Sequence, residues 1–381
     1  MDLRAMRLQL LKRVLFPPEV CTGKASIERL ACLDPARLLL FAGSSAHKNG
    51  TTDRVLAQLN QSTAKDVVLW DSGEPKASSI NALRSRVTSF GPEWIVALGG
   101  GSVIDAAKFI WAQHEDPNLM LAGKATPIPP LRGKSRFIAI PTTAGSGSEA
   151  SQAAILTAED GGKIPFVSPH WVPDIVILDP ALAVTLPRET TVSTGLDALT
   201  HAVESAVSSL SNPFLRVIAA TSVGIILRQL PVAVDNPKDI AARSAMLEAA
   251  FLAGLCQSMT STGAAHALSH SASKLHAAPH SAATGFFLIP TMRWNRKKNA
   301  AVYDELAVNC GFADGATLEA AILSLVTRVG LPQTYSGLIG RVPDAAERQT
   351  WAEVAAKDVC LRTNACRLGV PDLAQLLSEI S

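Results

Sequence analysis

Charge is scarce in this chain. Of its 381 residues only 18% are Asp, Glu, Lys or Arg, and they nearly cancel, to a formal net charge of +2. Nucleic-acid binding needs a concentrated basic face. The densest basic cluster, Arg296-Lys297-Lys298, is short and reads as a solvated loop, so no nucleic-acid partner is expected. Paired cysteines are missing as well. Cys21, Cys32, Cys256, Cys310, Cys360 and Cys366 are scattered with no CxxC, and a chain this large needs no disulfide staples, which predicts reduced thiols in a cytosol. No segment approaches the roughly 20 apolar residues of a bilayer span. The start, Met1 to Val20, is broken by Asp2, Arg4, Arg7, Lys12 and Arg13 and lacks the apolar run of a signal peptide. Internal repeats and low-complexity linkers are absent too. The expectation is a cytoplasmic protein without a membrane partner.

What the chain does have is apolar material, 48% of its residues, enough for large cores and against disorder. At about 100–200 residues per domain, the length suggests two. The first half alternates short apolar strands with helices. Arg37 to Ala42 ends at Gly43-Ser44-Ser45, Asp66 to Trp70 at Asp71-Ser72-Gly73, Trp94 to Leu98 at Gly99-Gly100-Gly101, and Phe137 to Ile140 at Pro141-Thr142-Thr143. Continuous Val/Ile/Leu runs suit strands buried on both faces of a parallel sheet. Helical stretches such as Ser102 to Trp111 lie between them. The pattern predicts a doubly wound α/β domain over 1–186, with ligands at the carboxyl ends of the strands. From about Leu186 the rhythm changes to Ala-rich helical periods: Thr194 to Ser209, Phe214 to Leu230, Asp239 to Gln257, and Ala264 to Leu275. An all-helical domain over 187–381 follows.

Histidine is the informative residue. Eight occur, yet His266, His270, His276 and His280 crowd together near the end of that helical series. Upstream, Asp197 and His201 stand at i, i+4, on one face of a helix. A lone histidine on such a helix is an ordinary packed polar residue. Five of them with an aspartate, in mostly apolar helices, are costly to bury without a shared partner. A carboxylate with several neutral imidazoles suits a divalent first-row ion, and one Asp leaves a net positive centre able to polarise a carbonyl. Spacing leaves open which imidazoles ligate.

Two small-residue loops at strand ends point to a phosphate-bearing cofactor. Gly99-Gly100-Gly101-Ser102 opens a helix, where bare amides attract anions. Pro141-Thr142-Thr143-Ala144-Gly145-Ser146 offers hydroxyls for a phosphate or a nicotinamide amide. Together they favour a dinucleotide. Gly43, Ser44 and Ser45 close a strand end that can receive the adenosine ribose. No carboxylate stands there to repel a 2′-phosphate, and Lys48 is near, which tilts the cofactor toward NADP(H) over NAD(H).

These motifs, in this order, resemble the iron-containing (group III) alcohol dehydrogenase family. The resemblance runs from about Val14 to about Arg293 and is carried by Gly99 to Ser102 with Asp105 and Lys108, by Pro141 to Ser146, by Val172-Pro173-Asp174 with Asp179-Pro180, by Gly195 to Ala202, and by His266 to His270 with Pro279-His280. It implies a Rossmann-like N-terminal domain and a helical, metal-binding C-terminal domain, the fold shared with dehydroquinate synthase-like proteins. It implies Asp197, His201, His266 and His280 as ligands of the ion, with Fe2+ first and Zn2+ or Mn2+ as other choices. His270 matches an active-site histidine that relays protons or contacts the nicotinamide, and Lys163 a lysine that approaches the cofactor together with Asp105. The activity implied is an NAD(P)-linked alcohol dehydrogenase or aldehyde reductase on a small substrate, in a homodimer or larger assembly.

The chain departs from the family pattern near the substrate. Ser281 stands where many members have Gly, and Thr284 where an Asn is common. The segment Ser168-Pro169-His170-Trp171 resembles members that reduce phosphonoacetaldehyde, which makes a small anionic aldehyde a substrate class to test. The other reading of the same architecture is a dehydroquinate synthase-like lyase that uses nicotinamide transiently. Such an enzyme needs a basic cluster for a phosphorylated sugar acid beside the metal, and the second half shows none.

Overall fold

The computed structural model describes residues 14–159 and 161–380. Most of Met1 to Val20, the stretch that lacks the apolar run of a signal peptide, lies outside the described residues. The described residues divide into two compact units: Leu15–Leu186 with Pro237–Glu248, and Pro187–Asn236 with residues 249–380.

The α/β unit is built on a six-stranded sheet: β1 (Glu19–Thr22), β2 (Arg37–Gly43), β3 (Ala64–Trp70), β4 (Trp94–Gly99), β5 (Arg136–Pro141) and β8 (Ile175–Leu178), in the order β1-β8-β5-β4-β2-β3. Every pairing is parallel. β6 (Ala153–Thr157) and β7 (Lys163–Val167) form a separate antiparallel hairpin. Period-2 geometry sends successive side chains to opposite faces. Leu38, Leu40, Ala42, Val96, Leu98, Ile138 and Ile140 meet Ile27, Leu30, Val55 and Leu59 on one side. On the other, Leu39, Phe41, Ile95, Ala97, Phe137 and Ala139 pack on helices α3 (Ala77–Phe90) and α4 (Gly101–Glu115). α1 (Ser44–Lys48) and α2 (Thr51–Leu56) follow β2. The chain leaves β2 for β3 on one side and β4 for β5 on the other, so the topological switch lies between β2 and β4. That is where Gly43 and Gly99 end their strands.

The helical unit holds α5 (Arg188–Val207), α6 (Pro213–Asp235), the latter part of α7 (Ile240–Thr260), α8 (Ala264–His276), α9 (His280–Lys298), α10 (Ala300–Asn309), α11 (Gly315–Val329), α12 (Tyr335–Ile339), α13 (Ala345–Ala355) and α14 (Val370–Ser378). α5 starts earlier than its apolar period suggested, because Pro187 stands at its N-cap and Glu189 suits its first turn.

Pro237–Glu248, which includes the start of α7, groups with Leu15–Leu186. Two expectations are corrected. Arg296-Lys297-Lys298 is not a loop but the last turn of α9, where cations suit the helix dipole. Second, α6 has 23 residues and contains an 18-residue stretch of mean hydropathy 1.8, long and apolar enough by length and composition to cross a membrane. Arg216 and Arg228 interrupt its apolar run in the sequence, and half of its most apolar stretch is buried inside the protein.

Candidate metal centre and nucleotide loops

Asp197 and His201 project from one face of α5, and His266 comes from the first turn and a half of α8. All three are buried. Asp197 Oδ1 lies 4.0 Å from His201 Nε2 and 3.7 Å from His266 Nε2. The imidazoles of His201 and His266 stack with centroids 4.5 Å apart. Ligand atoms of these three residues fall within 4.8 Å of one another. Gly195 lets α6 come close to this stretch of α5, since a Cβ there would sit 3.0 Å from Leu230 Cδ2.

His280 is the first residue of α9, after Pro279. Its ring centroid is 5.8 Å from that of His266 and 5.1 Å from that of His270. It stands beside the Asp197–His201–His266 set without joining that tight cluster. Its Nδ1 is 3.1 Å from Ser269 Oγ, which donates to the His280 carbonyl at 2.9 Å. Thr284 Oγ1 lies 3.0 Å from Ser269 Oγ and 2.9 Å from the His280 carbonyl, and Ser281 Oγ donates to Asp197 Oδ2 at 3.4 Å. The two departures from the family pattern are thus hydroxyls in contact with the histidine and the aspartate. His276 lies away from the cluster, its ring 4.6 Å from that of Trp351.

The donor set fits a cation. Asp197 Oδ1 and His266 Nε2 are both buried and neither has a hydrogen-bond partner. Orphaning a carboxylate oxygen and an imidazole nitrogen side by side is costly, and a divalent ion shared between them relieves both. Burial alone would lower the pKa of His266, but the charge and hydrogen bond of Glu204, with Asp197 and Asp358, more than offset it and raise it overall.

Two residues that sequence reasoning missed complete the surroundings. Glu204 touches His266, and Asp358 Oδ2 lies 2.8 Å from His270 Nδ1. Burial would raise the Asp358 carboxyl, but the hydrogen bond and charge of His270 outweigh this and hold it below its usual value. Cys360 stands next to this pair, its thiol pushed well up by burial. Glu204 carried a readable signal, since it continues the Asp197, His201 stripe one turn further along α5. Asp358 carried none.

In the α/β unit the two small-residue loops meet. Thr142 N donates to the Gly99 carbonyl at 3.0 Å. A Cβ on Gly100 would be 3.4 Å from Thr143 Oγ1, and one on Gly101 would lie 2.7 Å from Ser146 Cβ. A Cβ on Gly43 would be 3.2 Å from Val103 Cγ2, so the end of β2 abuts the same helix start. Ser102 lies in the first turn of α4, and Ser44 and Ser45 open the short helix α1.

Asp105, Lys108 and Lys163 each have partners within the protein. Asp105 Oδ2 accepts from Ile155 N at 2.9 Å, tying α4 to β6. Lys108 Nζ donates to the carbonyls of Ser148, Ser151 and Ala153 at 2.7, 2.7 and 2.9 Å, which fixes the far side of the Thr142–Ser146 loop. Lys163 is ion-paired with Glu74, and burial lowers its pKa to about 8. Trp171 is fully buried against Phe109, so this residue of the Ser168–Trp171 segment is part of the core.

A buried carboxylate–imidazole cluster that could hold a metal ion and a doubly wound unit with small-residue loops at its switch point are together what a metal-dependent, nucleotide-linked enzyme needs. Residues 17–180 match the family described as iron-containing alcohol dehydrogenase, and residues 191–381 the C-terminal region of the Fe-containing alcohol dehydrogenase family. The chain is 32% identical over 323 residues to the NADPH-dependent butanol dehydrogenase of Clostridium saccharobutylicum, covering 83% of this chain and 82% of that one. It is 32% identical over 370 residues to the probable alcohol dehydrogenase EutG of Escherichia coli (strain K12), covering 94% and 92%. Among solved structures, an iron-containing alcohol dehydrogenase from Thermococcus thioreducens superposes with a TM-score of 0.89 at 28% identity, over 96% of this chain and 99% of that one. A sulfoacetaldehyde reductase from Bifidobacterium kashiwanohense, in complex with NAD+, gives 0.88 at 25% identity over 97% and 98%. The chain belongs to the iron-containing alcohol dehydrogenase family. It is an oxidoreductase of alcohols and aldehydes. The match extends to residue 381, well past Arg293, where the motif resemblance stopped.

Proposed function

We propose that Asp197, His201, His266 and His280 hold a divalent ion, ferrous iron in first place, in an NADP(H)-preferring reductase of small aldehydes. The observation that carries the reading is the pair of buried, partnerless atoms, Asp197 Oδ1 and His266 Nε2, 3.7 Å apart. When bound, the ion supplies Lewis-acid polarisation of the carbonyl oxygen and the reduced nicotinamide supplies the hydride. The chain's own residues supply the rest. Gly99, Gly100, Gly101 and Ser102 offer amides and a hydroxyl at the start of α4 for the pyrophosphate, with Thr142, Thr143 and Ser146 beside them. Gly43, Ser44 and Ser45 receive the adenosine ribose without a carboxylate to repel a 2′-phosphate, and the NADPH-dependent relative supports that preference. His270, held at Nδ1 by Asp358, delivers the proton that completes the product hydroxyl. In the oxidative direction it removes the same proton.

Small anionic aldehydes are the substrate class we place first, supported by the likeness to the sulfoacetaldehyde reductase. Anaerobically purified protein loaded with Fe2+, assayed for NADPH oxidation with sulfoacetaldehyde, phosphonoacetaldehyde and butyraldehyde, tests both levels. A higher kcat/KM for the anionic pair supports the substrate class, and a higher value for butyraldehyde overturns it. Metal-free protein that reduces all three at the rate of the loaded enzyme would overturn the ion's role.

A further inference from the structure

Glu204 is a buried carboxylate, 6% exposed, on α5. It takes three close hydrogen bonds, all from the beginning of α8. Oε2 accepts from Gly263 N at 2.8 Å, Oε1 from Ala265 N at 2.7 Å, and Oε2 lies 2.6 Å from His266 Nδ1. Gly263 is at the N-cap of α8, where a Cβ would come within 2.9 Å of Glu204 Oε1. The first amides of a helix have no partner within it and carry its positive dipole end, so a carboxylate seats there favourably.

The contact to the ring has a chemical consequence. An ionised carboxylate only accepts hydrogen bonds, so His266 Nδ1 carries a proton. In the neutral imidazole the lone pair then falls on Nε2, the atom that faces Asp197 Oδ1 and has no hydrogen-bond partner. Flipping the ring would put a carbon against Glu204 and forfeit the 2.6 Å contact. One side chain therefore selects both the tautomer and the orientation of His266.

We infer that Glu204 is a positioning residue of the metal centre, which presents His266 Nε2 to the ion and, through the same carboxylate, seats the start of α8 on α5. This rests on the ligand set proposed above. Carboxylate partners of a ligating histidine sharpen its direction and raise its basicity, and their loss typically weakens metal binding about 10- to 100-fold.

The test is chelator competition for Zn2+ and Fe2+ on folded protein, with thermal unfolding measured alongside. Glu204→Gln removes the charge and turns an amide N–H2 toward backbone donors, and is expected to weaken binding about 10- to 100-fold. Asn364→Ala is the control for a merely structural effect. Asn364 Oδ1 accepts from Ala264 N at 3.1 Å, at the same helix start, and its hydrogen bonds do not include His266. That variant is expected to melt lower with unchanged metal affinity. Equal weakening in both variants would overturn the inference, as would wild-type affinity in Glu204→Gln when His266→Ala has lost the ion. Wild-type affinity in His266→Ala would instead sink the ligand set, and this inference with it. Should Glu204→Gln fail to fold, 15N imidazole shifts of the zinc-loaded natural protein decide. Nδ1–H with Nε2 bound is expected for His266, and coordination through Nδ1 would overturn the assignment.

Discussion

His270 Nδ1 lies 2.8 Å from Asp358 Oδ2 although 88 residues of chain separate them. The carboxylate holds the Nδ1 proton of the ring, which leaves Nε2 for exchange with substrate or solvent. Asp358→Asn is expected to lower kcat roughly 10- to 100-fold, toward the lower end of general acid–base contributions, with metal content unchanged. Steady-state kinetics together with metal analysis of the same sample would show it. A variant with full kcat would remove His270 from the proton path.

Gly101 is the tightest point between the two small-residue loops. A methyl at this position meets Ser146 Cβ at 2.7 Å, and neither loop can yield without opening the start of α4. Gly101→Ala is expected to weaken NADPH binding by about tenfold or more, on the order of 1.4 kcal/mol. Fluorescence titration of the folded variant measures it, and unchanged affinity would place the pyrophosphate elsewhere.

Glu149 gives the α/β unit a pH signature. Burial raises its carboxyl from 4.5 to about 7, against the opposing effect of its own backbone and of Lys108. Between pH 4.5 and 7 the folded protein keeps a proton that the unfolded chain has released, so this group's contribution to stability falls as pH rises through that window. Below it both states are protonated. Above it the cost of the buried charge is fully present. Glu149→Gln never ionises, so its melting temperature relative to the natural protein should climb from pH 4.5 to 7 and then level off. A constant offset across that range would contradict the assignment.

Gly195 tests the packing beneath the metal centre. A methyl there would collide with the Leu230 side chain, whose Cδ2 lies 3.0 Å from the Cβ position. Gly195→Ala is expected to destabilise the helical unit by about 1–3 kcal/mol through overpacking, read as a lower denaturation midpoint. An unshifted midpoint would mean that α6 yields at no cost.

The strands β2, β4 and β5 were legible because both faces of each are buried, which writes an uninterrupted apolar run into the sequence; β3 lies at the sheet edge and is partly exposed, yet keeps the run Val67-Val68-Leu69-Trp70. The Ala-rich periods likewise revealed α5 to α8. β1 was not legible: its four residues alternate between half-buried and exposed, too short a period to separate from a loop. β8 is wholly buried but only four residues long, so its apolar run was hidden between the Asp174 and Asp179 motifs. In the site, the i, i+4 pair Asp197 and His201 could be read directly. The convergence of His266 on it is a matter of helix packing, which a one-dimensional pattern does not contain. Asp358 was invisible for the same reason.

The pairing of β1 with β8, Glu19 to Thr22 against Ile175 to Leu178, has a practical side for anyone handling the protein. All four side chains of β8 are apolar and buried, and β1 is the strand that covers its outer edge. A shortened version beginning after Thr22 would leave that edge with unpaired amides and carbonyls beside an Ile-Val-Ile-Leu strip, an invitation to intermolecular strand addition. During synthesis the same edge cannot form until β8 has emerged, so β1 waits for a partner supplied more than 150 residues later. Slow translation or N-terminal trimming should therefore show first as aggregated product, before any change in catalysis is seen.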